Sequence, residues 1–149
     1  MERFVNTTSL LGQAYSVLGH RIVDGVVAAG FDQRPAHSAV FAHIDLEGTR
    51  LTTLATRANI TPQAMGQIVD DLEQMGYVRR EPDPSDRRAK LVTLTGRGVD
   101  CIDAGMETIG GIEHDLEELL GPRALGSLRS ALRKIIDHGE SLDGSHEGD

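Results

Sequence analysis

The chain has 149 residues, a length usual for one domain and enough to bury a core, and carries a formal net charge of −8. One cysteine, Cys101, excludes an intramolecular disulfide and a cysteine-based metal site, and the absence of Trp beside only 3 Phe and 2 Tyr leaves Leu, Ile, Val and Met to build the interior, which suits helices. The first residues, "MERFVNTTSLLGQAYSVLGH", hold no basic flank followed by an unbroken apolar run, so neither a signal peptide nor a membrane span is expected, and a reducing, cytoplasmic setting is.

Residues 9–28 place Leu10, Ala14, Val17, Leu18, Ile22 and Val26 at helical spacing, with Gly30 as a left-handed stop. Pro35 is expected to open a second helix through Val40, Phe41 and Ile44, followed by a turn at "EGT", residues 47–49. "LTTLATRA", 51–58, reads as a helix of about two turns. After it, Thr61 is a natural N-cap with Pro62 at the first helical position, and Met65, Ile68, Val69, Leu72 and Met75 share one face until Gly76. "YVRRE" and "KLVTL" read as strands around the turn "PDPSDR". Thr95 caps a long helix over about 96–120, whose apolar seam runs from Val99 and Ile102 to Leu116 and Leu120; Gly121-Pro122 breaks it. A last helix is expected over 122–138, with 140–149 a disordered polar tail.

The two short helices meet the demands of a helix-turn-helix. Ala55 is small where they cross, Asn59 tolerates positive φ in the turn, and Ile60, Met65 and Ile68 lock the second helix to the first. An ordinary αα-hairpin shares these residues but not the basic hairpin behind them. Between residues 50 and 90 the charge is +1, leaving −9 for the rest, and Arg79, Arg80, Arg87, Arg88 and Lys90 crowd one hairpin. Local field, not net charge, steers a polyanion. Gln63, Gly66 and Gln67 project from the buried stripe, where glutamine can pair with adenine in a major groove and Gly66 admits a close approach; the free N–H groups near Thr61 and Pro62, with the helix dipole, favour a phosphate. Asp70 and Asp71, further along, would repel one. At the hairpin tip Arg87 and Arg88 suit a narrow minor groove, with Asp86 available to pair with a guanidinium; Arg57, Arg79 and Arg80 are candidate phosphate contacts, with Lys90 on the stem. Solvated polar surface and a solubilising hairpin tip are the plainer alternatives.

These residues resemble the MarR (multiple antibiotic resistance regulator) family of winged helix-turn-helix transcription factors. The likeness rests on "LTTLATRANITPQAMGQIVDDLEQMGYVRREPDPSDRRAKLVTLTGRG", residues 51–98, above all "DPSDRRAKLVTLTGRG". It implies a mainly α fold with a small β-hairpin wing. Residues 9–34 and 96–139 would be dimerisation helices and 35–95 the winged helix-turn-helix. The implied partners are double-stranded DNA, bound as a pseudo-palindromic operator by a homodimer, and a small aromatic or anionic effector. Asp86 and Arg88 fall at the family's Asp-x-Arg wing tip, and Gln63, Gly66 and Gln67 at recognition-helix positions, although many members carry a basic residue where this chain has Gln67 or Asp71. The effector crevice would involve Tyr15, His20, His37, Phe41 and His43, each of which, singly, is more simply a core or surface side chain.

Other classes find less support. No P-loop, phosphate-cradling glycine run or "HExxH" helix is present, so no enzyme and no cofactor are expected. His37 and His43 do not share a helical face, so no metal site is expected either. Cys101 reads as a structural thiol. A winged helix that binds an acidic protein rather than DNA is the second reading.

Overall fold

In a computed structural model, which describes residues 6–143, the first helix begins where Asn6 accepts the Ser9 N–H at 2.9 Å. This helix, α1, spans Thr7–Ala28 and ends at Gly30, whose φ of 97° only glycine adopts readily. The helix expected from Pro35 to Ile44 is shorter: a 3-10 turn, Pro35–His37, leads into α2, Ser38–Phe41. The chain leaves it early because Asp45 is pinned elsewhere; its N–H donates to Thr49 Oγ1 at 2.9 Å and its carboxylate accepts from Arg57 at 2.9 Å. The "EGT" stretch is only partly a turn. Gly48 turns (φ 96°), but Thr49 enters a short strand, β1, Thr49–Arg50.

Helices α3 (Leu51–Arg57) and α4 (Pro62–Gln74) form the expected pair. Asn59 turns between them at φ 53°, and the Ile60 N–H closes on the Ala55 carbonyl at 3.0 Å. Ala55, Leu54, Met65, Val69 and Leu72 are buried, so the crossing and the stripe are the ones read from spacing. Thr61 caps α4 by accepting the Ala64 N–H at 3.1 Å.

The hairpin strands are longer than expected: β2 covers Val78–Asp83 and β3 Asp86–Leu94, leaving Pro84 and Ser85 to turn. The three-stranded antiparallel sheet runs β1-β3-β2. Its register is regular from Val78↔Leu94 to Pro82↔Lys90 and then jumps to Asp83↔Asp86. Arg87, Arg88 and Ala89 therefore have no partners on β2 and form an excursion at the wing tip.

Thr95 caps α5 by accepting the Gly98 N–H at 3.1 Å. The helix spans Gly96–Asp143, interrupted at Gly121 (φ 77°, ψ 158°) ahead of Pro122, as the Gly-Pro pair requires. Compactness divides the chain into two units, Met1–Ile109 and Gly110–Asp149. In the second, Ile112 and Leu125 are buried and Glu113 pairs with Arg129. The helix continues to Asp143, so residues 140–143 are not the expected disordered tail. Gly139 lowers helix propensity by only about 1 kcal/mol and no Pro stops the chain. Residues 144–149 lie outside the described residues.

The core of the first unit gathers on Tyr77, which is fully buried. Its N–H closes the end of α4 on the Leu72 carbonyl at 2.9 Å, and its hydroxyl donates to the Asp32 carbonyl at 3.0 Å. Phe41 packs edge-on to its ring at 5.9 Å, and the Arg97 guanidinium lies 4.7 Å from the ring centre. Its carbonyl meets Gly98 so closely that a Cβ there would drive into the oxygen. Gly98→Ala is therefore expected to destabilise the fold by about 3 kcal/mol through backbone overlap, read as a lowered Tm in thermal unfolding; an unchanged Tm contradicts this packing.

Candidate nucleic-acid interface

Helix α4 turns Met65, Val69 and Leu72 inward, so Thr61, Pro62, Gln63 and Gln67 stand exposed at its leading half, with Gly66 half-buried between them. A Cβ on Gly66 would come no nearer than 4.0 Å to Leu51, so the fold itself does not demand glycine there. The two carboxylates expected to repel a phosphate are both occupied. Asp70 and Glu73 grip Arg80 at 2.6 and 2.5 Å. Partial burial of Arg80 disfavours its charge, but the hydrogen bonds to Asp70 and Glu73 outweigh it and raise its pKa. Asp71 accepts from His37 Nε2 at 2.8 Å and from Arg34 at 2.7 Å. The His37 bond first, and the Arg34 charge after it, hold the Asp71 carboxyl below its usual range.

The cations sort accordingly. Arg80 is gripped by α4 and is not the free phosphate contact expected of it. Arg57 likewise donates to the His43 carbonyl at 2.7 Å and to Asp45, and Arg79 pairs with Glu81 at 2.7 Å. Arg87, Arg88 and Lys90 are exposed, and among the described residues no ion pair or side-chain hydrogen bond holds their charged heads. Asp86 uses its carboxylate on the Arg88 backbone N–H at 3.0 Å and lies 3.9 Å from Arg50, so it shapes the tip and does not restrain a tip guanidinium.

The residue that fixes the wing is one the sequence reading passed over. Asp83 is buried at 5% exposure and accepts from the Ser85 N–H at 2.8 Å, the Ser85 hydroxyl at 2.7 Å and Arg50 at 2.8 Å. The Ser85 bonds and then Arg50 bring its pKa down to about 2. The signal was present: an Asp two residues before a Ser, with Pro between, is an Asx-turn pattern.

The expected effector residues are not assembled. Tyr15 (75% exposed) and His20 are on the surface of α1, His37 is committed to Asp71, and His43 is half-buried in the loop after α2. Of these residues Phe41 lines a cavity of about 300 Å³ in the first unit, walled also by Ile22, Val26, Ile102, Met106 and Ile109. The histidines miss it because backbone and carboxylate partners hold them: His20 Nδ1 meets the Ser16 carbonyl at 2.6 Å and His37 Nδ1 accepts the Arg34 N–H at 3.1 Å. Gln33, Arg34, Ser38 and Cys101 bring polar groups and a thiol to the wall. Burial pushes the Cys101 thiol up to about 11, keeping it protonated and unreactive. Among the described residues no group of three His, Cys, Asp or Glu could hold a metal, and no helix is long and apolar enough to cross a membrane.

A helix-turn-helix followed by an antiparallel hairpin, with α4 and the wing tip both open to solvent, defines a winged helix-turn-helix. The MarR family model matches residues 45–90. The chain is 30% identical over 88 residues to the transcriptional regulator HosA of Escherichia coli O111:H-, a match covering 59% of this chain and 63% of that one. Such matches span less than two thirds of the relative's length. Among solved structures, the repressor CouR bound to a 23-mer DNA duplex superposes with TM-score 0.70 at 25% identity, over 88% of this chain and 92% of that one. A crystal structure of MarR superposes with TM-score 0.77 at 21% identity over 97% of each. The likeness to the MarR family thus covers residues 45–90 in sequence and most of the chain in fold. The curated relatives it matches are named as transcriptional regulators.

Because the Asp83 carboxyl is held at about 2, below the ordinary 3.8, its contribution to the wing is fully present above pH 4 and is lost as pH falls from there toward 2. Hydrogen exchange at the Ser85 and Arg88 amides should accelerate relative to the core across that range. Asp83→Asn should show fast wing exchange already at neutral pH; parent-like protection in the variant contradicts the anchoring role.

Proposed function

We propose that this chain is a sequence-specific DNA-binding transcriptional regulator of the cytoplasm, working as a homodimer on a pseudo-palindromic operator. The observation that carries this is the sorting of cations. In a chain of net charge −8, Arg50, Arg57, Arg79 and Arg80 face carboxylates of their own fold, while Arg87, Arg88 and Lys90, on or beside the unpaired excursion of the wing, do not. An interface for a polyanion needs such uncommitted charge.

In this reading α4 enters the major groove by its leading half. The backbone N–H groups at the start of α4, beside Thr61 and Pro62, face a phosphate, Gln63 and Gln67 read base edges, and Gly66 lets the helix approach closely. Arg88, with Arg87 beside it, enters the adjacent minor groove. Lys90 contacts phosphate, as does Arg79 if it exchanges Glu81 for it. CouR, the structural relative bound to DNA, supports this docking. Exposed Leu10, Tyr15 and Val17 on α1 support dimerisation, as do Leu119, Leu128 and Ile136 on α5. Half-sites would lie about 10–10.5 base pairs apart. Repression by occlusion, relieved by a small aromatic or anionic effector, is the simplest regulatory mode; the cavity beside Phe41 is the place for that effector, in preference to Tyr15, His20 or His43.

Selection of bound sequences from random duplexes tests the reading directly, and saturable binding that survives competitor DNA is expected. Arg88→Ala should weaken operator binding about tenfold or more and reduce the salt slope by about one unit. Gly66→Ala should leave the Tm equal or higher by helix propensity yet weaken binding, since only the DNA complains of the added methyl. Parent-like binding by Arg88→Ala contradicts the wing assignment; no duplex binding at low salt favours an acidic protein partner.

A further inference from the structure

Arg80 reaches α4 three times. Its backbone N–H, on the outer strand β2, donates to Glu73 Oε1 at 3.0 Å, and its guanidinium donates to Glu73 Oε2 at 2.5 Å and to Asp70 Oδ1 at 2.6 Å. Asp70 and Glu73 continue, at helical spacing, the stripe that starts with Gln63 and Gly66. The clasp therefore closes the far end of the face whose near end is read as base-contacting. Three residues on from Arg80, in the same strand, Asp83 holds the wing tip through Ser85 and Arg50. One short run of β2 thus joins that face of α4 to the tip carrying Arg87 and Arg88. Apolar packing already presses α4 on the sheet, but it is non-directional. A planar fork gripping two neighbouring carboxylates adds direction.

We propose that Arg80 is a positioning residue for recognition: its clasp on Asp70 and Glu73 fixes the separation of α4 from the wing, and with it the number of base pairs between the major-groove bases read by Gln63 and the minor groove entered by Arg88. Its side chain is 24% exposed, so the bonds are partly shielded from water. Two simpler roles, neutralising Asp70 and Glu73 or touching a phosphate, require only a positive charge, which lysine also supplies. The positioning role requires the fork, which lysine lacks. The effect on base-pair spacing rests on the reading of α4 and the wing as the DNA-contacting parts; the rigidity of the clasp does not.

Arg80→Lys in the full chain separates these roles. In the free protein, residual dipolar couplings of the α4 and wing amides should fit one common orientation in the parent and no longer do so in Arg80→Lys. The selected duplex is then compared with one carrying an extra base pair in each half-site, between the positions at which Gln63→Ala and Arg88→Ala change preference. The parent should bind the lengthened duplex about tenfold or more weakly, the size of one mismatched contact. Arg80→Lys should bind the two within about threefold of each other, with the salt slope of the parent. Should Arg80→Lys fail to fold, Asp70→Asn combined with Glu73→Gln opens the clasp from the other side and should lose the spacing preference in the same way. A common orientation kept by Arg80→Lys, a spacing preference as strong as the parent's, or a parent indifferent to the extra base pair overturns the proposal. No duplex bound by the parent overturns the DNA-binding reading and the spacing claim with it, while the dipolar couplings still decide whether the clasp orients the wing.

Discussion

One buried ring orients the first unit. Tyr77 ends α4 through its N–H, receives Thr95 at its carbonyl, reaches the Asp32 carbonyl through its hydroxyl, and carries Phe41 and Arg97 against its ring. The helix read as DNA-facing, the base of the wing, the segment before α2 and the start of α5 are thereby referred to a single side chain. Few hydrogen-bonding aromatic residues exist in this chain, and burying one with its hydroxyl paired gives both the area and the direction that an aliphatic core lacks. The close approach of Gly98 to the Tyr77 carbonyl follows: α5 can start where it does only because no side chain stands there.

Around that hub the protein manages charge by pairing it. An acidic chain that is to meet a polyanion must neutralise its carboxylates near the contact without spending the cations the contact needs. Asp70 and Glu73 are satisfied by Arg80, Asp71 by Arg34 and His37, Asp83 by Arg50 and Ser85. The aspartates of α4 thus hold the helix in place where unpaired they would repel phosphate. The residual positive charge falls at the wing tip because the register jump after Pro82 leaves Arg87 and Arg88 outside the ladder. Proline has no N–H to give the ladder at that point, which fits the break.

Elements whose signals are local were legible in the sequence. The Thr61-Pro62 start, the Asn59 turn, the stop at Gly76 and the break at Gly121-Pro122 are each set by one or two residues with a conformational preference. What escaped depends on partners distant in the chain. Thr49 and Arg50 are a strand only because Val92 and Leu91 lie opposite, and the helix after Pro35 stops early because Asp45 finds Thr49 and Arg57. The same holds at the candidate site. That Gln63, Gln67 and Arg88 are exposed follows from periodicity. That Arg80 is held by α4, that Asp83 anchors the wing, and that His37 serves Asp71 in place of a ligand are long-range pairings no spacing reveals.

The two anchors of Asp71 differ in a way that bears on regulation. A carboxylate held only by buried, well-satisfied partners resists displacement, since removing one leaves a polar group unpaired in the interior. A carboxylate held only by exposed cations is weakly placed and gives a helix little definition. Asp71 has one partner of each kind: His37, at 1% exposure and fixed by a backbone N–H, and Arg34, mostly in water and bordering the cavity. The buried contact sets where α4 sits and the exposed one is a bias added on top. A bias of that size is worth no more than about 1 kcal/mol, several-fold in affinity, so a helix anchored this way is tuned by degree and is not switched outright. Because a dimer would carry the anchor twice, the same small bias would act at both half-sites, and its effect on operator affinity would compound.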